Sequence, residues 1–127
     1  MTKIVIDSSA LMAYINQEPG GEAVGEILAH ATICSVNACE VVTKLVAAGW
    51  PVQSARRALN KAGCEIWDFD LDLAFDAGGM VALTRSRGLS LGDRACLALA
   101  ARLDVPALTA DRAWKYVDVG VAVQFIR

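Results

Sequence analysis

Apolar and polar positions along the chain fall into short blocks of two kinds. Ile4-Val5-Ile6 is a β-branched run without alternation, the pattern of a strand covered on both faces, as in a parallel sheet. Residues 31–36, 65–69, 106–109 and 119–126 read as further strands, the last at an edge. Between them the apolar spacing is helical. Residues 10–15 predict a short helix stopping before Pro19-Gly20-Gly21, and residues 22–29 a second with Val24, Ile27 and Leu28 on one face. Asn37 opens a third helix, whose apolar face is Val41, Val42, Leu45 and Val46 and which closes at Gly49. Pro51 suits the first turn of a fourth, ending at Gly63. A long helix over residues 71–85 is weakened by Gly78-Gly79, and an Ala-rich helix follows over residues 94–103. Strands alternating with helices predict an α/β fold: one domain over residues 1–127, with a mostly parallel central sheet of four to five short strands flanked by helices. Right-handed crossovers would then place Asp7 and Thr109-Ala110-Asp111, which end two of the strands, on one rim.

Composition narrows the possibilities. Hydrophobic content is 55% and mean hydropathy +0.41, high for a soluble protein. The longest apolar run, residues 95–101, is too short to span a bilayer, and no basic segment precedes an apolar stretch as in an export signal. A cytoplasmic protein that does not enter a membrane is therefore expected, with its surplus apolar surface used for a homodimer or a partner protein. Cys34, Cys39, Cys64 and Cys96 show no metal-finger spacing, and His30 is the single histidine. Zinc and histidine acid–base chemistry are accordingly disfavoured, and the cysteines read as small core residues in a reducing compartment. The net charge of −2 lacks the basic signature of a nucleic-acid protein, although a cluster of uncompensated acids would mask basic surface in the total.

Four acids stand at helix entries. Asp7 and Asp111 each follow a strand; Asp93 opens a helix that is apolar nearly all round and hence buried; Glu40 lies beside Val41 and Val42 in the first turn of the Asn37 helix. Each has an ordinary explanation. Asp7 and Asp111 fit N-caps, Ser90-x-x-Asp93 matches a capping box, Asn37-x-x-Glu40 approximates one, and Glu40 could pair with Lys44. Caps do not explain why two of the four share a rim. Gathered carboxylates raise one another's pKa unless a cation neutralises them, and an all-oxygen cup selects Mg²⁺ or Mn²⁺ over zinc. Such a site can activate water against a phosphodiester. Ser8 and Thr109 are candidate supporting hydroxyls, or simple helix caps.

With Asp7-Ser8-Ser9-Ala10 after the first strand, Asn37-Ala38-Cys39-Glu40-Val41, Leu91-Gly92-Asp93-Arg94-Ala95-Cys96 and Leu108-Thr109-Ala110-Asp111-Arg112 in this order, the whole chain resembles the PIN-domain ribonucleases, specifically the VapC-type toxins. The resemblance implies that Asp7, Glu40, Asp93 and Asp111 are the catalytic, metal-binding residues, with Ser8 and Thr109 in support. It further implies endonucleolytic cleavage of single-stranded or loop RNA, a homodimer, and silencing by a cognate small antitoxin, with segments 11–14, 24–28 and 52–59 as the candidate surfaces for these partners. Some members carry another acid about one turn after the last; here Trp114 stands there.

Arg94 and Arg112, directly after two of the acids, are candidates for RNA phosphate contact, or for salt bridges to those acids. Trp114 is a candidate for base stacking, or for the core. Arg56, Arg57, Lys61, Arg85 and Arg87 could track an RNA backbone or form solvated helix faces. Three other functions compete with the toxin: a housekeeping PIN nuclease without an antitoxin, a Mg²⁺-binding phosphoacceptor domain, and a binding module whose acids are all caps. The phosphoacceptor calls for paired acids after the first strand and a late Lys, where this chain has Ile6-Asp7 and no Lys after its last strand.

Overall fold

Strand β1 (Ile4–Ile6) occupies the centre of the molecule; the structure, a computed structural model, describes residues 2–127. It is joined in one sheet by β2 (Ala31–Cys34), β3 (Glu65–Trp67), β4 (Ala107–Thr109) and β5 (Val123–Phe125), in the order β3-β2-β1-β4-β5. Every neighbouring pair is parallel, so the sheet is wholly rather than mostly parallel, and it uses all five predicted strands. Because side chains alternate along a strand, Val5 and Ile6 face opposite ways, and both are fully buried. Ile6 packs with Leu11, Val24, Val41 and Leu45, and Val5 packs with Leu73, Cys96, Leu99 and Trp114. The unalternating apolar run thus reflects two cores.

Among the described residues, seven α-helices cover the faces: α1 (Ser8–Ile15), α2 (Gly21–Ile27), α3 (Ser35–Ala47), α4 (Val52–Ala62), α5 (Leu71–Gly79), α6 (Val81–Thr84) and α7 (Leu91–Leu103). The chain runs outward from β1 through β2 to β3, then crosses back to β4 on the other side of β1 and continues to β5. The strand order therefore reverses between β1 and β4. In open α/β sheets, the crevice beyond the carboxyl ends of the strands at such a reversal is where ligands bind.

Three boundaries differ from the sequence reading for identifiable reasons. Helix α3 begins at Ser35, so Asn37 lies inside its first turn rather than capping it, and its side chain is free for tertiary contacts. The helix expected over residues 71–85 breaks at Met80, after Gly78-Gly79, where Arg94 Nη1 donates to the Ala77 carbonyl at 2.9 Å and takes up an acceptor at the end of α5. Helix α7 starts at Leu91 because Ser90 caps it in a complete capping box with Asp93. Asp93 is accordingly the third helical residue rather than the first. Leu11, Val24 and Leu28, expected to contribute to an interface, are buried; the exposed large apolar side chains include Val52, Leu71, Phe75 and Leu83. No helix among the described residues is long and apolar enough to cross a membrane.

Candidate active site

Asp7 leaves β1 in extended conformation and caps α1, its Oδ1 accepting the Ala10 N–H at 2.9 Å. Only 3% of Asp7 is exposed. Oδ1 also accepts from Ser9 Oγ at 2.7 Å, and Oδ2 accepts from Thr109 Oγ1 at 2.6 Å. Each hydroxyl has one proton, and each gives it to Asp7. The hydroxyls in turn accept backbone N–H groups: Ala110 donates to Ser9 Oγ at 2.9 Å and Asp111 to Thr109 Oγ1 at 3.0 Å. This network clamps the end of β1 to the end of β4 at the point where the strand order reverses. Thr109 is thus placed beside Asp7 as the sequence suggests. The second hydroxyl is Ser9 rather than Ser8, which makes no side-chain hydrogen bond among the described residues.

Glu40 is held by a residue that sequence reasoning treated only as a cap. Asn37, fully buried, donates from Nδ2 to Glu40 Oε1 at 2.9 Å and to the Gly92 carbonyl at 3.0 Å. Two acceptors on one side fix the amide orientation, since a flipped amide would turn its oxygen toward both. Gly92 makes room for the carboxylate: a Cβ built there would lie 2.5 Å from Glu40 Oε1 and 2.6 Å from Cδ. Asn37 and Gly92 therefore latch the α3 acid against the mouth of α7, one residue from Asp93. The signal in the sequence was an amide three residues before Glu40 and a glycine beside Asp93; either is commonplace alone.

Asp93 Oδ2 accepts the Ser90 N–H at 2.9 Å, and Asp111 Oδ1 accepts the Ala113 N–H at 2.9 Å, capping a short 3-10 helix (Arg112–Tyr116). In Glu40, Asp93 and Asp111 alike, one carboxylate oxygen is fixed by a local donor, and the other has no donor among the described residues. Capping and ligation are therefore compatible here.

The four acids sense one another. Burial, helped by the Asp93 charge, pushes the Asp7 carboxyl up to about 6 against three opposing hydrogen bonds. Asp93 is also raised, first by burial, then by the charges of Asp111 and Glu40. No cation answers them. The ion pairs of the described residues are Arg102 with Asp70 and Asp76, and Arg127 with Glu18. The alternative pairings of Glu40 with Lys44 and of Arg94 or Arg112 with the acids are not formed. As placed, no three acidic, Cys or His side chains among the described residues are grouped tightly enough to hold one ion. The donor set nonetheless suits a hard divalent cation: it is all oxygen, negative, uncompensated, and has an undonated oxygen on three of its four acids.

Of the three candidates for RNA contact, Arg94 and Trp114 are taken up by the fold, whereas Arg112 stays exposed. Arg94 holds the Ala77 carbonyl. Arg112 lies with its guanidinium carbon 4.5 Å from the Phe125 ring centroid and reaches the Arg127 carbonyl. Trp114 is 0% exposed and packs with Val5 and Leu99, so its ring offers no face to a base.

Known proteins share this architecture. A chain of VapBC2 from Rickettsia felis, in complex with a promoter DNA fragment, superposes with a TM-score of 0.75 at 17% identity, covering 98% of each chain. A chain of DNA-bound VapBC from Salmonella typhimurium gives 0.72 at 17% identity over 100% of both. VapC20 of Mycobacterium tuberculosis, a toxin that cleaves the sarcin–ricin loop, gives 0.71 at 15% identity, covering 89% of this chain and 93% of its own. Among curated proteins, none matches in sequence. The PIN domain model matches residues 4–120, nearly the entire chain, and the protein belongs to the PIN domain family.

Proposed function

We propose that this PIN domain is a metal-dependent endoribonuclease, the toxin of a toxin–antitoxin pair, that hydrolyses phosphodiester bonds in single-stranded or loop RNA. The observation that supports the reading is a chain of uncompensated charge at the strand-order reversal: Asp93 acts on Asp7, Asp111 and Glu40 act on Asp93, and none of the four acids has an ion-pair partner among the described residues. Ser9 and Thr109 orient Asp7, Asn37 orients Glu40, Ser90 orients Asp93, and the Ala113 N–H orients Asp111, so each acid enters the reaction already positioned. These four acids would hold Mg²⁺ or Mn²⁺. Bound there, such an ion supplies Lewis acidity and a water activated for in-line attack on phosphorus.

The toxin assignment draws on the fold shared with VapBC complexes and VapC20. An open groove of about 910 Å³, lined by Tyr14, Ile15, Pro19, Trp50, Ala58 and Lys61, offers a cognate antitoxin a seat. The exposed apolar side chains Leu71, Phe75 and Leu83 support a homodimer. We place the protein in the cytoplasm, where its RNA substrates are.

Inducing the chain in cells and mapping RNA 5′ ends tests the reading. New ends and arrested growth are expected with the wild type, neither with Asp93→Asn, and restored growth when the small protein encoded beside the toxin is co-expressed. Equal cleavage by Asp93→Asn would contradict the proposed site.

A further inference from the structure

With Arg94 and Trp114 committed to the fold and the exposed Arg112 stacked on Phe125, a second cationic and aromatic surface lies just beyond Asp111. Tyr116 ends the 3-10 helix that Asp111 caps, and it is 67% exposed. The Arg87 guanidinium carbon sits 4.9 Å from the centroid of its ring, and Lys115 Nζ sits 5.5 Å away. Arg87 belongs to a second 3-10 turn (Arg85–Arg87) that packs against the first.

Connectivity places this cluster beside the acids. At the ~2 Å rise of a 3-10 helix, Tyr116 stands about 10 Å along the chain axis from Asp111. On the other side, only Gly88 and Leu89 separate Arg87 from Ser90, whose N–H the Asp93 carboxylate holds. The two packed turns are thus tied to both acids by short links of chain, which puts the cluster within reach of nucleotides next to a phosphate held at the acids.

Its composition selects the ligand. The exposed ring does little for the core, and neither cation has a carboxylate partner among the ion pairs of the described residues. A chain of net charge −2 that gathers four acids repels a polyanion, so a substrate bearing phosphates requires local positive charge beside them. Guanidinium stacked on a phenol ring also makes a platform on which an unpaired base stacks regardless of sequence.

We propose that Tyr116, Arg87 and Lys115 form a nucleotide subsite of this enzyme, the ring stacking an unpaired base beside the scissile phosphate while the cations hold the flanking phosphates. The proposal rests on the nuclease reading above and extends it to how single-stranded RNA is held.

Fluorescence anisotropy of a labelled single-stranded RNA oligonucleotide tests it, on an Asp93→Asn background in Mg²⁺ so that binding is read without cleavage. Tyr116→Ala is expected to weaken affinity about tenfold or more, and Tyr116→Trp to retain it. Arg87→Gln with Lys115→Gln is expected to weaken binding and to flatten the slope of log K against log salt by roughly 0.7 for each phosphate that is no longer neutralised. Unchanged affinity in Tyr116→Ala, with the wild type still cleaving RNA, overturns the subsite and leaves the nuclease reading standing. Unchanged RNA affinity accompanied by failure to bind the co-encoded antitoxin also overturns it, assigning the surface to a protein. A protein that neither binds nor cleaves RNA overturns both readings.

Discussion

Asp7→Asn is expected to abolish RNA cleavage and, at the same time, to stabilise the protein at neutral pH. The loss of activity follows from removing the charge at the centre of the site. A fall of roughly 10²–10³-fold or more is expected, the range seen when one charge-stabilising group is deleted. The gain in stability follows from burial. The Asp7 carboxyl titrates near 6 in the folded protein against 3.8 as its ordinary value. Below pH ~3 it is protonated in both states and costs nothing. As pH rises toward 6 the unfolded chain ionises first, and the folded state loses stability; above 6 the full cost of about 3 kcal/mol is reached. Asparagine keeps the shape and never ionises. Its Nδ2 replaces the oxygen that faces Thr109 Oγ1, and that hydroxyl can turn to accept. Urea unfolding in EDTA should therefore show the variant and the wild type equal near pH 3 and the variant ahead at pH 7. Millimolar Mn²⁺ should close the gap by neutralising the wild-type charge. A variant less stable than the wild type at pH 7 would show that Asp7 is built into the fold as a favourable ion, not held there for a ligand.

Gly92→Ala is expected to do the opposite kind of damage: a sound fold with a misplaced acid. The position lies in the first turns of α7, where alanine is intrinsically better than glycine by about 1 kcal/mol. The added methyl group, however, would occupy the space of the Glu40 carboxylate, within 2.6 Å of Cδ and closer to both oxygens. What must move is the end of a flexible side chain, so the cost falls on Glu40 rather than on the backbone. Glu40 leaves Asn37, and the latch between α3 and α7 opens. Cleavage should fall about 10–100-fold, the effect of disturbing groups that orient a metal ligand, while the melting temperature holds or rises. The diagnostic is non-additivity, because Gly92→Ala should cost nothing further in a Glu40→Ala background. Full additivity would mean that Gly92 acts through something other than Glu40.

Periodicity and punctuation made most of the architecture legible in the sequence. The unbroken apolar run of β1 announced a strand with two covered faces, and Ser90-x-x-Asp93 announced the cap that starts α7. What was missed depended on tertiary competition for backbone groups. The 71–85 helix ends early because Arg94, distant in sequence, takes the Ala77 carbonyl. Asn37 looked like a helix opener because asparagine caps well, but its partners are a carboxylate one turn on and a carbonyl 55 residues away. The choice between Ser8 and Ser9 could not be read from two adjacent identical residues, because it depends on which of them faces β4. Trp114 shows the limit of composition: an aromatic after an acid suits stacking or packing, and only burial separates the two.

Whether the four acids form a divalent-cation site that cleaves RNA is tested most directly by incubating a single-stranded RNA with purified protein, with and without added Mn²⁺. The same titration is followed in parallel by calorimetry on the wild type and on Asp93→Asn. Discrete fragments are expected only from the wild type and only with metal, together with a Mn²⁺-binding heat that Asp93→Asn loses. Cleavage that persists in EDTA, or no Mn²⁺ binding at millimolar concentration alongside no cleavage, would contradict the metal site and leave the acids as helix caps.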